Sequence, residues 1–474
     1  MDRLRKNWKK ILVISIAVTG LMTLLVLEVF SRGAATIFNQ AMLEQDMLKG
    51  NITAEKIVAH INGHVSFTNL EWYDPDGRLL LKVPEGSFHV RLWDVIIGHL
   101  KSTTIQELTL KNAAISVHLA DDMTVDFIRQ SPDMKQVKKE DDDWQTKVSL
   151  VGKSEEERKR IGEFRRRKQA EKMATKWRNF DRAGKKIRME LLFENCRVEV
   201  FFKDRHYLLS NVNLKADINT DKKMSLEMST GRFGGTMIGD GVRLQGTVAF
   251  DGEQIPVGDL RLRFADVNPS SLGLGINIQD KMTMDSHLQG PLNELTGDGN
   301  ILMHDLHIPG LHFQNLLGKL HYDGATLQFS EVEADVYGGH LQAEGVYDLD
   351  TRYYSIQGHG SNLQADKALP GGHLHCPVNL DINLYSKGTG RETTTEGSFS
   401  SGEGRYKLLP FKKISGRFYQ GYRDLQFYDV QIEFAGFTVQ TDGLRLQDKK
   451  LTMQPLKFQD IDGRALGTYE RPDN

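Results

Sequence analysis

The chain has 474 residues, 26% charged and 39% hydrophobic, with 44 glycines, 12 prolines, two cysteines and a formal net charge of -2. That balance excludes a disordered chain and a polytopic membrane protein, and the near-neutral charge argues against nucleic acid as the main partner. Cys196 and Cys376 are too few and too far apart for a disulfide framework; they could pair in an oxidising compartment, but they read as two packed free thiols.

Residues 1–50 begin with a basic flank of Arg3, Arg5, Lys6, Lys9 and Lys10. An apolar run of 20 residues follows, Ile11 to Phe30, with one acidic residue, Glu28. At about 1.5 Å per residue such a helix spans about 30 Å, one hydrocarbon core. The basic flank predicts a cytoplasmic N-terminus with the bulk of the chain across the membrane. A cleaved signal peptide is the alternative. Its apolar region runs to about 7–15 residues, and helix-like sequence here continues from Phe38 to Leu48 as a stalk.

Residues 51–128 predict a short helix capped by Asn51 or Thr53, with Ile57, Val58 and Ile61 on one side. Strands follow at Val65 and Phe67, then at Leu79, Leu81 and Val83 after an Asp76-Gly77 turn. Phe88, Val90 and Leu92 alternate next, and a short amphipathic piece from Trp93 to Leu100 leads to Ile105, Leu108 and Leu110, then Ile115, Val117 and Leu119. Asp74 and Asp76 look like a fragment of a calcium loop, but no ligands follow at the required spacing, so a hairpin turn is the simpler reading.

Residues 129–188 break the alternation. The acidic run Asp141 to Asp143 precedes a stretch of strong helix formers with a basic excess from Arg165 to Lys186. Ile161, Phe164, Met173, Trp177 and Phe180 give an irregular apolar stripe. Two readings stay open: an interfacial helix beside anionic headgroups, or a charged helix in solvent between two strands, which the irregular stripe favours.

From residue 189 to 474 the period-two pattern returns. It runs through Val198, Val200 and Phe202, through Val212 to Ile218, through Val242, Leu244, Val248 and Phe250, and through Leu260, Leu262 and Phe264. Then one stretch occurs twice. LQFSEVEADVYGGHLQAEG (327–345) and LQFYDVQIEFAGFTVQTDG (425–443) align without a gap, 98 residues apart, and the same offset pairs Gly318 with Gly416 and Gly299 with Gly397. A degenerate third copy covers 224–241, with Gly235 and Gly241 matching Gly339 and Gly345. Within each long copy the parity flips, between Phe329 and Val332 and between Phe427 and Val430. A bulge at that point puts both halves on one face, and Gly338-Gly339 supplies a turn with positive φ.

The arrangement after the apolar run, short helix, glycine, strand, Asp-Gly turn, two strands, Leu-Trp…Ile-Ile-Gly-His-Leu and two further strands, resembles the AsmA-like family, as do the glycine-punctuated strand pairs downstream. The resemblance covers most of the chain outside 129–188. It implies a rolled, open β-sheet groove in the bacterial periplasm, anchored in the inner membrane, with a part in envelope homeostasis through phospholipid movement.

The fold expected is thus mainly β: one transmembrane helix, then an elongated, rolled antiparallel sheet forming an open groove, with a charged helical insertion. From the pattern alone a β-sandwich is the common way to bury a one-sided sheet; the repeats and the resemblance favour the groove. Its expected lipid-facing lining is Val65, Phe67, Leu79, Leu81, Val90, Leu110, Val117, Val242, Leu244, Val248, Phe250, Leu260, Leu262, Phe264, Leu327, Phe329, Val332, Leu425, Phe427, Val430, Ile432 and Phe434. No catalytic motif, phosphate loop or C-x-x-C occurs, so neither an enzyme nor a cofactor is expected. His304, His307 and His312, and His373, His375 and Cys376, are loose clusters that read as surface histidines rather than metal sites.

The expected partners are membrane phospholipid and the inner membrane. An outer envelope protein or a second copy could add to an exposed strand edge around Leu451 to Phe458. The alternative is a non-catalytic scaffold for outer-membrane biogenesis, built as a closed sandwich. A reporter active only outside the cytoplasm, fused after Asn474, should be active; an inactive reporter in a stably expressed fusion contradicts the topology.

Overall fold

The computed structural model describes residues 50–60, 62–91, 105–119, 153–182, 188–202, 204–251, 255–272, 278–308, 311–368, 371, 373–387, 390–448 and 450–470. The expected span Ile11 to Phe30, its stalk, the Trp93 to Leu100 piece and the run Asp141 to Asp143 lie outside these. Among the described residues no helix is long and apolar enough to cross a membrane. The chain is mainly β and divides into two compact units, Met1–Val148 with Thr175–Leu260, and Ser149–Ala174 with Arg261–Asn474.

In the first unit β1 (Asn51–Ala59), β2 (His64–Tyr73) and β3 (Leu79–Val90) run antiparallel in chain order. β4 (Ile105–Lys111) and β5 (Ala114–Leu119) follow one another beside β3, on either side of Asn112 at φ 51°. Both then pair in parallel with β6 (Arg188–Phe202). Parallel neighbours need a long crossover, and the charged insertion is that crossover. It carries helix α1 (Glu155–Arg182). β7 (Arg205–Asn219) pairs antiparallel with β6, and β8 (Lys223–Ser229) and β9 (Phe233–Gly235) pair in succession along β7. β10 (Gly241–Ala249) returns against β8, so the degenerate copy at 224–241 is a hairpin with its first strand interrupted.

The expected helix over the first residues is a strand instead. Ile52, Ala54 and Ile57 are buried while β1 pairs with β2 along its length. Ile57 and Ile61 satisfy a helical period too, and in so short an apolar run the available partner strand decides. Leu79 is also corrected. A register shift between Trp72 and Tyr73 sends Leu80 inward at 4% exposure and leaves Leu79 at 37%.

The division falls within β11 (Val257–Val267). In the second unit β12 (Met282–Pro291), β13 (Thr296–Ile308), β14 (Leu311–Tyr322), β15 (Thr326–Val336), β16 (Gly339–Asp348) and β17 (Tyr354–Gln364) each pair antiparallel with the next. A short helix α2 (Ala365–Ala368) and β18 (Leu374–His375) precede β19 (Pro377–Ser386), which pairs with β17 and with β20 (Thr393–Ser401). β21 (Gly404–Tyr406) and β22 (Leu409–Phe411) then join β18 in a separate three-stranded flap. The main sheet resumes with β23 (Lys413–Gly421), β24 (Asp424–Glu433) and β25 (Phe437–Gln447). β26 (Lys450–Met453) and β27 (Leu456–Asp460) both pair with β25, and β28 (Ala465–Tyr469) covers β27. The expected edge at Leu451 to Phe458 is half covered: β28 pairs along Leu456 to Gln459, while β26, with Leu451 49% exposed, pairs among the described residues with β25 alone.

The repeat holds in three dimensions. Gly299 faces Leu320 and Ile301 faces Gly318, as Gly397 faces Phe418 and Phe399 faces Gly416. The glycines leave room for a neighbour. A Cβ on Gly416 would meet the Phe399 ring at 2.8 Å, and one on Gly318 would meet Val332 at 2.9 Å.

The expected bulges are present. Glu331 (φ 50°) and Asp429 (φ 50°) take the left-handed conformation at the two parity flips, and pairing shifts there. As a result Leu327, Phe329, Val332, Ala334 and Val336 all join one apolar cluster. The turn into β16 sits one residue earlier than the sequence suggests, with Tyr337 at φ 49° and Gly338 at φ 74°.

Two substitutions test the bulge. Glu331→Asn should keep or slightly raise the thermal midpoint, since Asn tolerates this conformation. Glu331→Val should cost about 1 kcal/mol. If Val is tolerated as well as Asn in thermal melts, position 331 does not need the left-handed conformation.

Candidate functional site

The first unit packs much of its apolar face into a buried cluster. Val65, Phe67 and Leu110 lie in a buried cluster around Val83, Ala113 and Cys196, each of the last three at 0% exposure, and Leu81 and Val90 pack against it. Burial raises the Cys196 thiol above its ordinary pKa, which suits an inert packing group. Val248 is buried, and Val117, Val242, Leu244, Phe250 and Leu260 are half-buried.

The second unit treats the same kind of face unevenly. In its first repeat, Ile301, Leu320 and Phe329 surround the two glycines, and Ile301 and Leu320 are buried with Met303, Phe313, Leu316 and Val336. Their equivalents in the second repeat are Phe399, Phe418 and Phe427. All three are half-buried, and Phe399 meets Phe427 edge-on with ring centroids 5.9 Å apart. Cross-strand register carries the row through Gly358, Ile382, Gly397, Phe418, Phe427 and Leu444. A second row passes through Gly360, Leu380, Phe399 and Gly416. Ile356, Leu380, Ile382, Leu384 and Leu444 are half-buried like the aromatic residues. The result is a one-sided apolar strip on which glycine rows leave width beside aromatic walls.

Both ends of this strip are marked. At one end the flap packs down: Ala365, Cys376 and Phe411 form a buried cluster against Val378, Ile414, Ile432 and Phe434. At the other end strands turn, and α1 docks on the turns. Ser154 caps α1, with Glu157 N–H donating to Ser154 Oγ at 3.3 Å and Ser154 N–H donating to Glu157 Oε2 at 3.2 Å. Arg158, at 6% exposure, donates from Nη1 to the Lys387 carbonyl at 3.0 Å and lies 5.3 Å from the Tyr353 ring centroid. Arg166 Nε sits 2.7 Å from Asp350 Oδ2, and Tyr385 donates to Glu155 at 3.2 Å. The N-terminal part of the charged helix is thus docked along one side through Arg158, Gly162 and Arg166, while most of its described residues are exposed to solvent, as expected for a charged helix between two strands. Arginines, rather than an apolar stripe, supply its contact side.

Of the expected lining, Leu327, Phe329 and Val332 adjoin the first-repeat cluster, while Ile432 and Phe434 adjoin the flap. Val430 is buried, and Leu262, Phe264, Leu425 and Phe427 are half-buried. Sequence reasoning missed Ile382, Leu384, Phe399 and Phe418. The alternation in VNLDINLY (378–385) was a sufficient signal for the first two, and the 98-residue offset from Ile301 and Leu320 for the others.

The opposite face is polar and laced across strands. His359 Nδ1–H donates to Asp381 at 2.6 Å, Ser398 donates to the same carboxylate at 3.3 Å, and Arg445 Nε donates to Asp424 at 2.9 Å. His307 and His312 stack with ring centroids 4.1 Å apart, each bonded to its own carboxylate, Asp280 and Asp305. Among the described residues no three metal-ligating side chains gather. The hydrogen bond from His359 holds the Asp381 carboxyl below its usual range, the His307 backbone N–H does the same for Asp280, and Arg445 for Asp424.

Comparison of the chain with protein-family models, curated proteins and solved structures finds no match.

Two outcomes follow from these contacts. A carboxyl whose folded pKa lies below the unfolded value, about 3.9, stabilises above that value and loses its contribution as pH falls through the folded pKa. Thermal midpoints should therefore drop below about pH 4, and Asp381→Asn should flatten part of the drop; an unchanged slope contradicts the pairing. Arg158→Met should cost about 1–3 kcal/mol and speed amide exchange in α1 and in 348–354 more than in β24. Equal exchange at all three would show that α1 is not held there.

Proposed function

We propose that this chain is a lipid-handling protein of the bacterial envelope, held in the inner membrane by Ile11 to Phe30 with its bulk in the periplasm. In this reading the apolar strip of the second unit is the wall of an open β-groove that carries phospholipid acyl chains. The observation that supports it is the half-buried row Ile382, Phe418, Phe427 and Leu444, with Phe399 beside it, which no cluster of the second unit fully covers. A closed sandwich buries such a row under a second sheet. An acyl chain is the simplest molecule that covers a long apolar strip, because removing each buried CH₂ from water stabilises by about 0.8 kcal/mol and demands no specific polar partner. Binding of this kind needs no catalytic residue and no cofactor. It supports outer-membrane homeostasis by lowering the cost of carrying lipid through water.

Photoreactive residues introduced in cells test the reading. Positions 382, 399 and 427 should yield phospholipid adducts, while positions 359 and 417 on the polar face should not. Adducts of equal yield from both faces, or protein adducts alone from the apolar positions, contradict it.

A further inference from the structure

The flap that closes one end of the apolar strip carries the most exposed apolar side chain of the described residues. Leu408 is 95% exposed, Leu409 51% and Tyr406 49%. They sit on the turn between β21 and β22, where Tyr406 pairs with Leu409 and Lys407 takes φ 52°. The hairpin is not a loose loop. The Lys407 N–H donates to the His373 carbonyl at 3.0 Å, Leu374 pairs with Tyr406, and Phe411, three residues on from Leu408, is buried in the flap cluster. A firmly based hairpin thus holds two leucines and a tyrosine out in water.

The surroundings of the tip are basic. Arg405, Lys407, Lys412 and Lys413 are all exposed, and the Lys407 Nζ lies 5.8 Å from the Tyr406 ring centroid. Three acids lie close by: Glu403 before β21, Asp366 in α2 at 3.8 Å from His375, and Glu433, which pairs with Lys413 across β23 and β24; the four basic groups outnumber them. Lysine is depleted from the buried parts of protein–protein interfaces, whereas leucine tips with tyrosine and lysine behind them suit the water–lipid boundary. There the apolar end enters the acyl region, tyrosine sits at headgroup depth and ammonium groups meet lipid phosphates.

We infer that the β21–β22 tip is a membrane-docking hairpin for an anionic bilayer surface, with Leu408 and Leu409 as its inserted residues and Arg405, Lys407, Lys412 and Lys413 as its headgroup contacts. The inference does not require that the apolar strip carry lipid. Taken with that reading, it brings the flap end of the strip to a bilayer.

The test uses the full chain, held in phosphatidylcholine nanodiscs, with Leu408→Cys labelled by an environment-sensitive fluorophore. Cys196 and Cys376 are buried and should stay unlabelled. Added vesicles of phosphatidylglycerol and phosphatidylcholine should raise and blue-shift the emission, and a quencher on the acyl chains of those vesicles should reduce it. Pure phosphatidylcholine vesicles should act more weakly, and Lys407→Glu with Lys412→Glu and Lys413→Glu should abolish the difference. Leu409→Asp should weaken vesicle binding about tenfold or more without moving the thermal midpoint. Phe427→Asp should leave the response intact, which separates failure here from failure of the lipid-carrying reading. An emission that stays that of a label in water with every vesicle overturns the inference. So does the same null response combined with a discrete protein adduct from a photoreactive residue at 408 in cells, which would assign the tip to a protein partner.

Discussion

A strand alternates its side chains between two faces, so any strand of ten or more residues that keeps one apolar face must stay in step throughout. These strands do not stay in step by sequence alone; they slip by one residue and are brought back by a bulge. Asn195, Asn211, Asn315, Glu331, Asn362 and Asp429 each sit inside a strand with φ between 48° and 55°. Most are Asn or Asp, the residues that accept this conformation most readily and can bond their own surroundings. Asn195 donates to Asn112 Oδ1 at 2.8 Å, and Asn315 donates to Asp335 Oδ2 at 3.0 Å, so neighbouring strands hold each other's irregularities. Remove one bulge and every apolar residue beyond it turns to the polar face.

One-sidedness maintained in this way can be used in different ways. In the first unit much of the face packs around Val83, Ala113 and Cys196, while Val242, Leu244 and Phe250 stay half-buried. In the second unit the two repeats share backbone register but not burial. Ile301 and Leu320 lie inside a cluster, whereas Phe399 and Phe418 at the matching positions remain part in water. Aromatic rings beside glycine rows supply a wide, smooth wall with few side-chain torsions to freeze. That difference, between two copies of one pattern, is what directs the functional reading to the later strands.

Much of this was legible. The alternation, the 98-residue repeat, the parity flips at Glu331 and Asp429 and the Asp76-Gly77 turn are local properties, written in residues close in the chain. What was not legible depends on partners distant in sequence. The first residues satisfied both a helical and a strand period until β2 was known to lie beside them. The docking of one side of the charged insertion was not legible, because that side is arginine and glycine: Arg158, Gly162 and Arg166 meet Tyr353, Lys387 and Asp350, and no hydrophobicity pattern encodes that. The parallel pairing that makes the insertion necessary is likewise invisible from either strand alone. Leu408 was passed over for the opposite reason, since an apolar residue in a strand region is read as core until its exposure is known.

The account rests on the claim that the apolar strip of the second unit is covered by lipid rather than by protein. Lipid extraction and mass spectrometry decide this most directly when the full chain is compared with a Phe399→Asp, Phe427→Asp variant. Both proteins carry the same N-terminal apolar run, so lipid bound around that run cancels. The account predicts that the parent chain retains phospholipid in excess of the variant, at a stoichiometry that survives dilution, while the variant remains folded. Equal phospholipid on two equally folded proteins would contradict it.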